Sequence, residues 1–263
     1  MDIIEKQKNL ENSIKKMGKV AVAFSSGVDS TFLLKTAHGI LGENCVAITA
    51  RGCCFPKNET QEAEDFCKKE GIKQIIIDYN PLEIREFSEN AKERCYFCKK
   101  ALFSKIKEVA SGIGISNIIE GTNFDDLSDF RPGMKAVKEL NILSPLLRAE
   151  LTKDEIRALS REAGLPTFDK PSYACLASRI PYGDEITKEK LQKIEKAESK
   201  LLSLGFKQMR VRIHGNLARI EIEQKDFEKL LALSPEINAY FREIGFDFVS
   251  MDLGGYRTGN MNI

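Results

Sequence analysis

Tryptophan is absent from the 263-residue chain, and histidine occurs only at His38 and His214. Two separated imidazoles cannot build a three-histidine zinc site or a two-histidine, one-carboxylate iron site, which leaves thiolates and carboxylates as the ligand chemistry. No apolar run approaches the roughly 18 residues that span a bilayer. The opening MDIIEKQKNL also lacks the charged start and apolar core of a secretion signal. The expectation is a cytoplasmic protein that does not engage a membrane. Excess charge of either sign is missing too. Lys and Arg total 40 against 39 Asp and Glu, and residues 184–263 hold 13 of each, so no broad field draws nucleic acid. What the chain does have is 42% hydrophobic residues, enough for one large or two smaller cores, and seven cysteines. An odd number of cysteines in a chain this long fits ligands or nucleophiles in a reducing compartment better than a disulfide framework.

Short β-branched runs at 20–24, 45–49, 73–77 and 117–119 alternate with stretches at 31–37, 59–70 and 99–110 whose apolar residues recur at helical spacing. Strands separated by helices pair in parallel through right-handed crossovers, so the first part reads as an α/β doubly wound parallel sheet. Another helix is marked by Thr152 as cap, Glu155 completing a capping box, Leu151 and Ile156 as a staple, and Gly164 at its end. The stretch DKPSYACLASRIPYGD at 169–184 has two prolines and no period and reads as a functional loop. Beyond it come a helix over 187–204, a strand at 208–214 and a hairpin turn at Gly215 and Asn216. A second strand, a helix near 226–233 and a strand near 246–253 complete a smaller α+β unit. The division expected is a nucleotide domain over 1–169, an interdomain loop over 170–183 and a substrate domain over 184–263.

SSGVDS, at 25–30, follows the first strand at the entrance to a helix, where unpaired amides and the positive end of the helix dipole hold phosphate. Gly27 permits close approach, and Ser25, Ser26 and Ser30 add hydroxyls. Asp29 beside phosphates repels them unless it meets a divalent cation or orients a donor, which points to Mg²⁺. An ordinary Ser/Gly turn with Asp29 or Ser30 as cap is the competing reading. The hexapeptide resembles SGGxDS, the PP-loop of the N-type ATP pyrophosphatases, with Ser26 where that family has its first glycine. The resemblance implies ATP cleaved between the α- and β-phosphates. It also implies that Gly121, Thr122, Asn123 and Asp125, from EGTNFDD at 120–126, lie near the nucleotide. The loop has no lysine, which disfavours a Walker-type kinase or GTPase.

Four further segments, RCYFCKKALF (94–103), KPSYACLASRIPYG (170–183), RVRIHGNLARIE (210–221) and DLGGYRTGNMN (252–262), resemble the LarE family of sulfur transferases. That family builds the nickel-pincer nucleotide cofactor of lactate racemase. The resemblance implies adenylation of a carboxylate of pyridinium-3,5-biscarboxylic acid mononucleotide, followed by displacement of AMP by sulfur. Arg210 and Arg212 share one strand face, where a pair of guanidiniums can grip a substrate phosphate; Arg257 is a candidate third. A solvated basic face balanced by Glu221 and Glu223 is the alternative, and His214 shares that ambiguity. By resemblance Glu198 is a polar or catalytic contact.

Cys175 lies between Lys170 and Arg179, cations that favour its thiolate. In the family the matching cysteine attacks the adenylate and gives up its own sulfur. Cys95 and Cys98 form a CxxC beside a helix, open to reading as a redox pair, half a zinc site or simple packing. With no histidine to close a zinc tetrahedron, Cys95, Cys98 and Cys175 can hold a [4Fe–4S] cluster with one open iron, as some LarE-like proteins do. Cys53 and Cys54 are candidates for a fourth ligand or a resolving thiol, whereas Cys45 and Cys67 read as packing residues. The functions in competition are a sulfur transferase on a small mononucleotide fed by a sulfide source, a tRNA-thiolating enzyme of the same fold, and a nucleotide-binding module without turnover. Charge parity and the lack of tryptophan favour the first. A homo-oligomer is left open.

Overall fold

Alternate residues of the first strand face opposite cores. Val20 and Val22 pack with one helical layer and Ala21 with the other, so a run apolar at every position marks a strand covered on both faces. The computed structural model, which describes residues 1–128, 132–171 and 174–257, arranges β1 (Val20–Ala23), β2 (Cys45–Arg51), β3 (Lys73–Asp78) and β4 (Ile118–Ile119) as a parallel sheet of order β3-β2-β1-β4. One face is covered by α1 (Ile3–Met17), α2 (Val28–Leu41), α3 (Lys57–Glu70) and α5 (Lys153–Glu162). The other face is covered by α4 (Arg94–Gly112). Both faces of the sheet carry helices, which makes the fold the doubly wound α/β type. The chain winds outward from β1 to β3 and then returns to place β4 on the far side of β1. At such a reversal the loops leaving the two neighbouring strand ends diverge and open a crevice.

Local chemistry sets the helix limits. The Thr152 side chain accepts from the Glu155 amide, and the Glu155 carboxylate accepts from the Thr152 amide at 2.8 Å, a complete capping box. The first helix, α1, shows no strong sequence signal because only Leu10 and Ile14 along it are buried.

Chain contacts divide the protein into Met1–Tyr79 with Glu93–Tyr173, and Asn80–Lys92 with Ala174–Ile263. The second unit contains α6 (Lys188–Ser203), capped by Thr187, and the hairpin of β5 (Met209–His214) and β6 (Leu217–Ile222), which turns at Gly215 with φ +58°. α7 (Ser234–Glu243) and β7 (Phe248–Met251), parallel to β6, complete it. Nothing in the sequence pattern assigns Asn80–Lys92 to this unit. Asn90 does so: fully buried, it donates its side-chain amide to the carbonyls of Ile180 (3.3 Å), Pro181 (2.6 Å) and Asp184 (2.9 Å). Within the motifs quoted above, Ser172, Tyr173 and residues 258–262 lie outside the described residues. No described helix is long and apolar enough to cross a membrane.

Candidate active site

The crevice at the β1/β4 reversal is a cleft of about 290 Å³ in the first unit. Ser25, Gly27, Asp29, Ser30, Gly121 and Thr122 supply its polar side; Phe24, Ile48, Phe55, Leu102, Phe103 and Ile106 form an apolar wall. A polar loop opposite an apolar wall suits a phosphorylated ligand with a planar base.

The loop is braced from within. Ser30 Oγ accepts from the Ser25 amide at 3.3 Å, lies 3.2 Å from Ser25 Oγ and donates to the Gly27 carbonyl at 3.2 Å. Gly27 caps α2, and Asp29 and Ser30 of its first turn line the cleft. Ser26 has φ +54° and is 2% exposed, a left-handed conformation that costs a non-glycine residue about 1–2 kcal/mol. Its hydroxyl donates to the Glu59 carbonyl at 2.9 Å, and Lys170 donates to its carbonyl and hydroxyl at 3.1 and 3.3 Å. These bonds offset the strain and explain how serine stands where the PP-loop pattern has glycine.

Asp29 ion-pairs with Lys153, the first residue of α5, and accepts from Asn123 Nδ2 at 3.2 Å. Sequence reasoning does not single out Lys153, although a lysine at a helix N-terminus, against the dipole, is itself a signal. Asp125 accepts from the Lys153 amide at 2.7 Å, so the Asn123–Asp125 turn holds both Asp29 and its cation. Glu120 is engaged by Thr122 and Ser144. The cleft's hard oxygen donors, Asp29 among them, fit Mg²⁺ carried on a triphosphate.

Gly121 lets the strand end press against α2: a Cβ there would lie 3.0 Å from the Ser30 amide nitrogen and 3.2 Å from Asp29 Cβ. Gly121→Ala is therefore expected to lower substrate-dependent pyrophosphate release severalfold, because α2 must give by a few tenths of an ångström where a displacement of about 1 Å at reacting groups costs roughly a hundredfold. A native rate in a coupled pyrophosphate assay would show that this close approach is dispensable.

α4 brings the cysteine pair to the same unit. Cys95 is exposed and Cys98 half-buried, about one turn apart at the start of the helix, where the dipole favours thiolates. Tyr79, stacked near Phe55 at 6.4 Å, donates its hydroxyl to the Cys98 carbonyl at 2.7 Å and lies 3.5 Å from Cys98 Sγ. Lys99, the next residue, lines the same cleft as the Ser25–Ser30 loop. Cys53 and Cys54 have sulfurs 3.9 Å apart. Burial pushes the thiols of Cys45 and Cys67 up to about 12, as packing residues require. Among the described residues no group of three or more His, Cys, Asp or Glu side chains is gathered as metal ligands. Two soft thiolates on one helix turn suit either zinc or an iron–sulfur group as part of a ligand set.

In the second unit Cys175 is half-buried at the start of the turn Leu176–Arg179. The basic face of β5 is not solvated: Arg210 is 3% and Arg212 6% exposed. Arg212 pairs with Glu221 at 3.0 Å and donates to the Ser178 carbonyl at 2.7 Å. Arg210 donates to the Met209 carbonyl at 2.6 Å and stacks on Tyr256, its guanidinium carbon 5.1 Å from the ring centroid. Burial, reinforced by Arg179, holds Arg210 below its ordinary pKa. Glu198 is bound by Arg179 through both oxygens. Arg257 is exposed with its guanidinium against Gly254, and His214, ending β5, is exposed.

No family model matches the chain. Individual proteins do resemble it along its length. An uncharacterised protein of Synechocystis sp. is 39% identical over 259 residues, 98% of this chain and 97% of the relative. The pyridinium-3,5-bisthiocarboxylic acid mononucleotide synthase of Lactiplantibacillus plantarum is 34% identical over 260 residues, 98% of this chain and 94% of the relative. One polypeptide of the glutamine-hydrolysing GMP synthase of Thermoplasma volcanium is 31% identical over 199 residues, 70% of this chain and 62% of the relative.

Proposed function

The chain belongs to the LarE family of pyridinium-3,5-bisthiocarboxylic acid mononucleotide synthases, and from that premise we propose that it activates a carboxylate of pyridinium-3,5-biscarboxylic acid mononucleotide with ATP and replaces one carboxylate oxygen by sulfur. The observation that carries this reading is that one helix, α4, supplies Leu102, Phe103 and Ile106 to the nucleotide cleft and Cys95 and Cys98 at its start. Nucleotide and sulfur chemistry thus share a scaffold.

In this reading the α2 amides and the hydroxyls of Ser25 and Ser30 hold the phosphates, and the apolar wall takes the base. Asp29, oriented by Asn123 and Lys153, would hold a Mg²⁺ ion, which would neutralise charge on the leaving pyrophosphate. The substrate carboxylate attacks the α-phosphorus and pyrophosphate leaves. AMP is then the leaving group when sulfur attacks the acyl carbon, which a bare carboxylate oxygen is not. Arg210 and Arg212 are assigned to the substrate phosphate. Cys95, Cys98 and Cys175 would hold a [4Fe–4S] group, which supplies a sulfide nucleophile when bound and is replenished from an external sulfide source. A second reading has Cys175, half-buried at the start of the turn Leu176–Arg179, donate its own sulfur.

The test is anaerobic turnover of the full chain with ATP, Mg²⁺, the mononucleotide and sulfide. Pyrophosphate and AMP should form only with the mononucleotide present, matched by a product in which one oxygen has become sulfur. Pyrophosphate release indifferent to the mononucleotide would overturn the substrate assignment.

A further inference from the structure

Arg179, four residues after Cys175, has no solvent-exposed surface. Its donors go to backbone carbonyls, one carboxylate and one hydroxyl. Nε and Nη2 reach Oε1 and Oε2 of Glu198, each at 2.9 Å, while Nη1 reaches the carbonyls of Ala174 (2.6 Å) and Cys175 (3.2 Å) and Ser178 Oγ (2.9 Å). Glu198 Oε1 also accepts the Val211 amide at 3.0 Å, and the residue is 6% exposed. A second buried guanidinium, Arg212, locked by Glu221, holds the Ser178 carbonyl. The peptide on both sides of Cys175 is therefore fastened by Arg179, and the end of the turn that follows by Arg212, each cation fixed by its own buried carboxylate.

A general acid or base must reach substrate, and Glu198 is 6% exposed with both oxygens hydrogen-bonded within the protein. A buried ion pair is also a poor way to gain stability, since a well-packed apolar pair of like volume serves as well or better. We propose that Glu198 and Arg179 are a positioning pair, Glu198 acting through Arg179 to fix how Cys175 presents its sulfur. The proposal rests on the reading of Cys175 as a sulfur-handling residue. Lysine cannot replace Arg179, because a point charge cannot span Glu198 and two carbonyls at once.

The test follows alkylation of individual cysteines by iodoacetamide, read by peptide mass spectrometry, in the full chain after chelation, beside thiocarboxylate formation by the untreated enzyme. Arg179→Lys and Glu198→Asp should alkylate at Cys175 roughly tenfold faster, the effect of one lost charge-assisted hydrogen bond. Cys95 and Cys98 should react at native rates, and thiocarboxylate yield should fall about as much. The double variant Arg179→Met, Glu198→Met leaves no buried charge unpaired and guards against simple unfolding; with a native melting temperature it should still show the fast Cys175. Restoration of native Cys175 alkylation and sulfur transfer by the double variant would reduce the pair to a structural role and overturn the proposal. Loss of transfer with Cys175 alkylation unchanged would also overturn it, placing Glu198 on the reacting atoms. Cys175→Ala separates the premise from the inference: sulfur transfer persisting in it would remove Cys175 from the chemistry, while the alkylation rates still decide the pair.

Discussion

Asp29→Ala and Ser30→Ala should each cut mononucleotide-dependent pyrophosphate release by roughly 10²–10³, the range for removing one preorganised group that stabilises transition-state charge. Ser30 Oγ ties the Ser25 amide and hydroxyl to the start of α2, so its loss slackens the loop that would cradle the phosphates. Asp29 has a double task. It is the carboxylate on which Lys153 and Asn123 converge, and in the proposed reaction it meets the metal. Alanine at 29 leaves Lys153 without its partner and the phosphates without a positioned cation. Because both side chains sit at a cleft and not within a core, melting temperatures should shift little. Full activity in both variants, measured by coupled pyrophosphate detection, would remove the ATP site from this cleft.

The second large effect concerns sulfur. Cys95→Ala, Cys98→Ala and Cys175→Ala should each lose bound iron and acid-labile sulfide after anaerobic purification, and with them thiocarboxylate formation. Adenylation, supported by the phosphate loop, should continue, so AMP-linked substrate accumulates or hydrolyses. In the native chain supplied with sulfide, repeated turnover should leave Cys175 chemically intact. A Cys175 lighter by one H₂S after reaction, at no more than one thiocarboxylate per chain, would overturn the cluster mechanism in favour of sacrifice.

Much of this was legible because the signals are local. The two-sided burial of 20–24, the capping box at Thr152 and Glu155, the turn at Gly215 and Asn216, and the phosphate loop each depend on residues close in sequence. What could not be read depends on which distant element arrives. Strand alternation shows that Arg210 and Arg212 share a face, but the partners that cover it, Tyr256 against Arg210 and Glu221 of β6 against Arg212, arrive from elsewhere in the chain. Lys153 becomes the partner of Asp29 only through the packing of α5 beside α2. Proximity in sequence also misdirects: Arg179 looks placed to act on the Cys175 thiolate, whereas its guanidinium is bound to Glu198 and to carbonyls.

The Asn80–Lys92 segment bears on how such a protein can change over generations. The chain passes between its two units at 79/80, 92/93 and 173/174, so neither unit is one uninterrupted stretch of gene. A crossover at the 170–183 loop would deliver 174–263 without Asn90, stranding the carbonyls of Ile180, Pro181 and Asp184 that its amide satisfies. A unit delivered that way is incomplete, because the buried side chain that ties down its 180–184 stretch is encoded about ninety residues earlier.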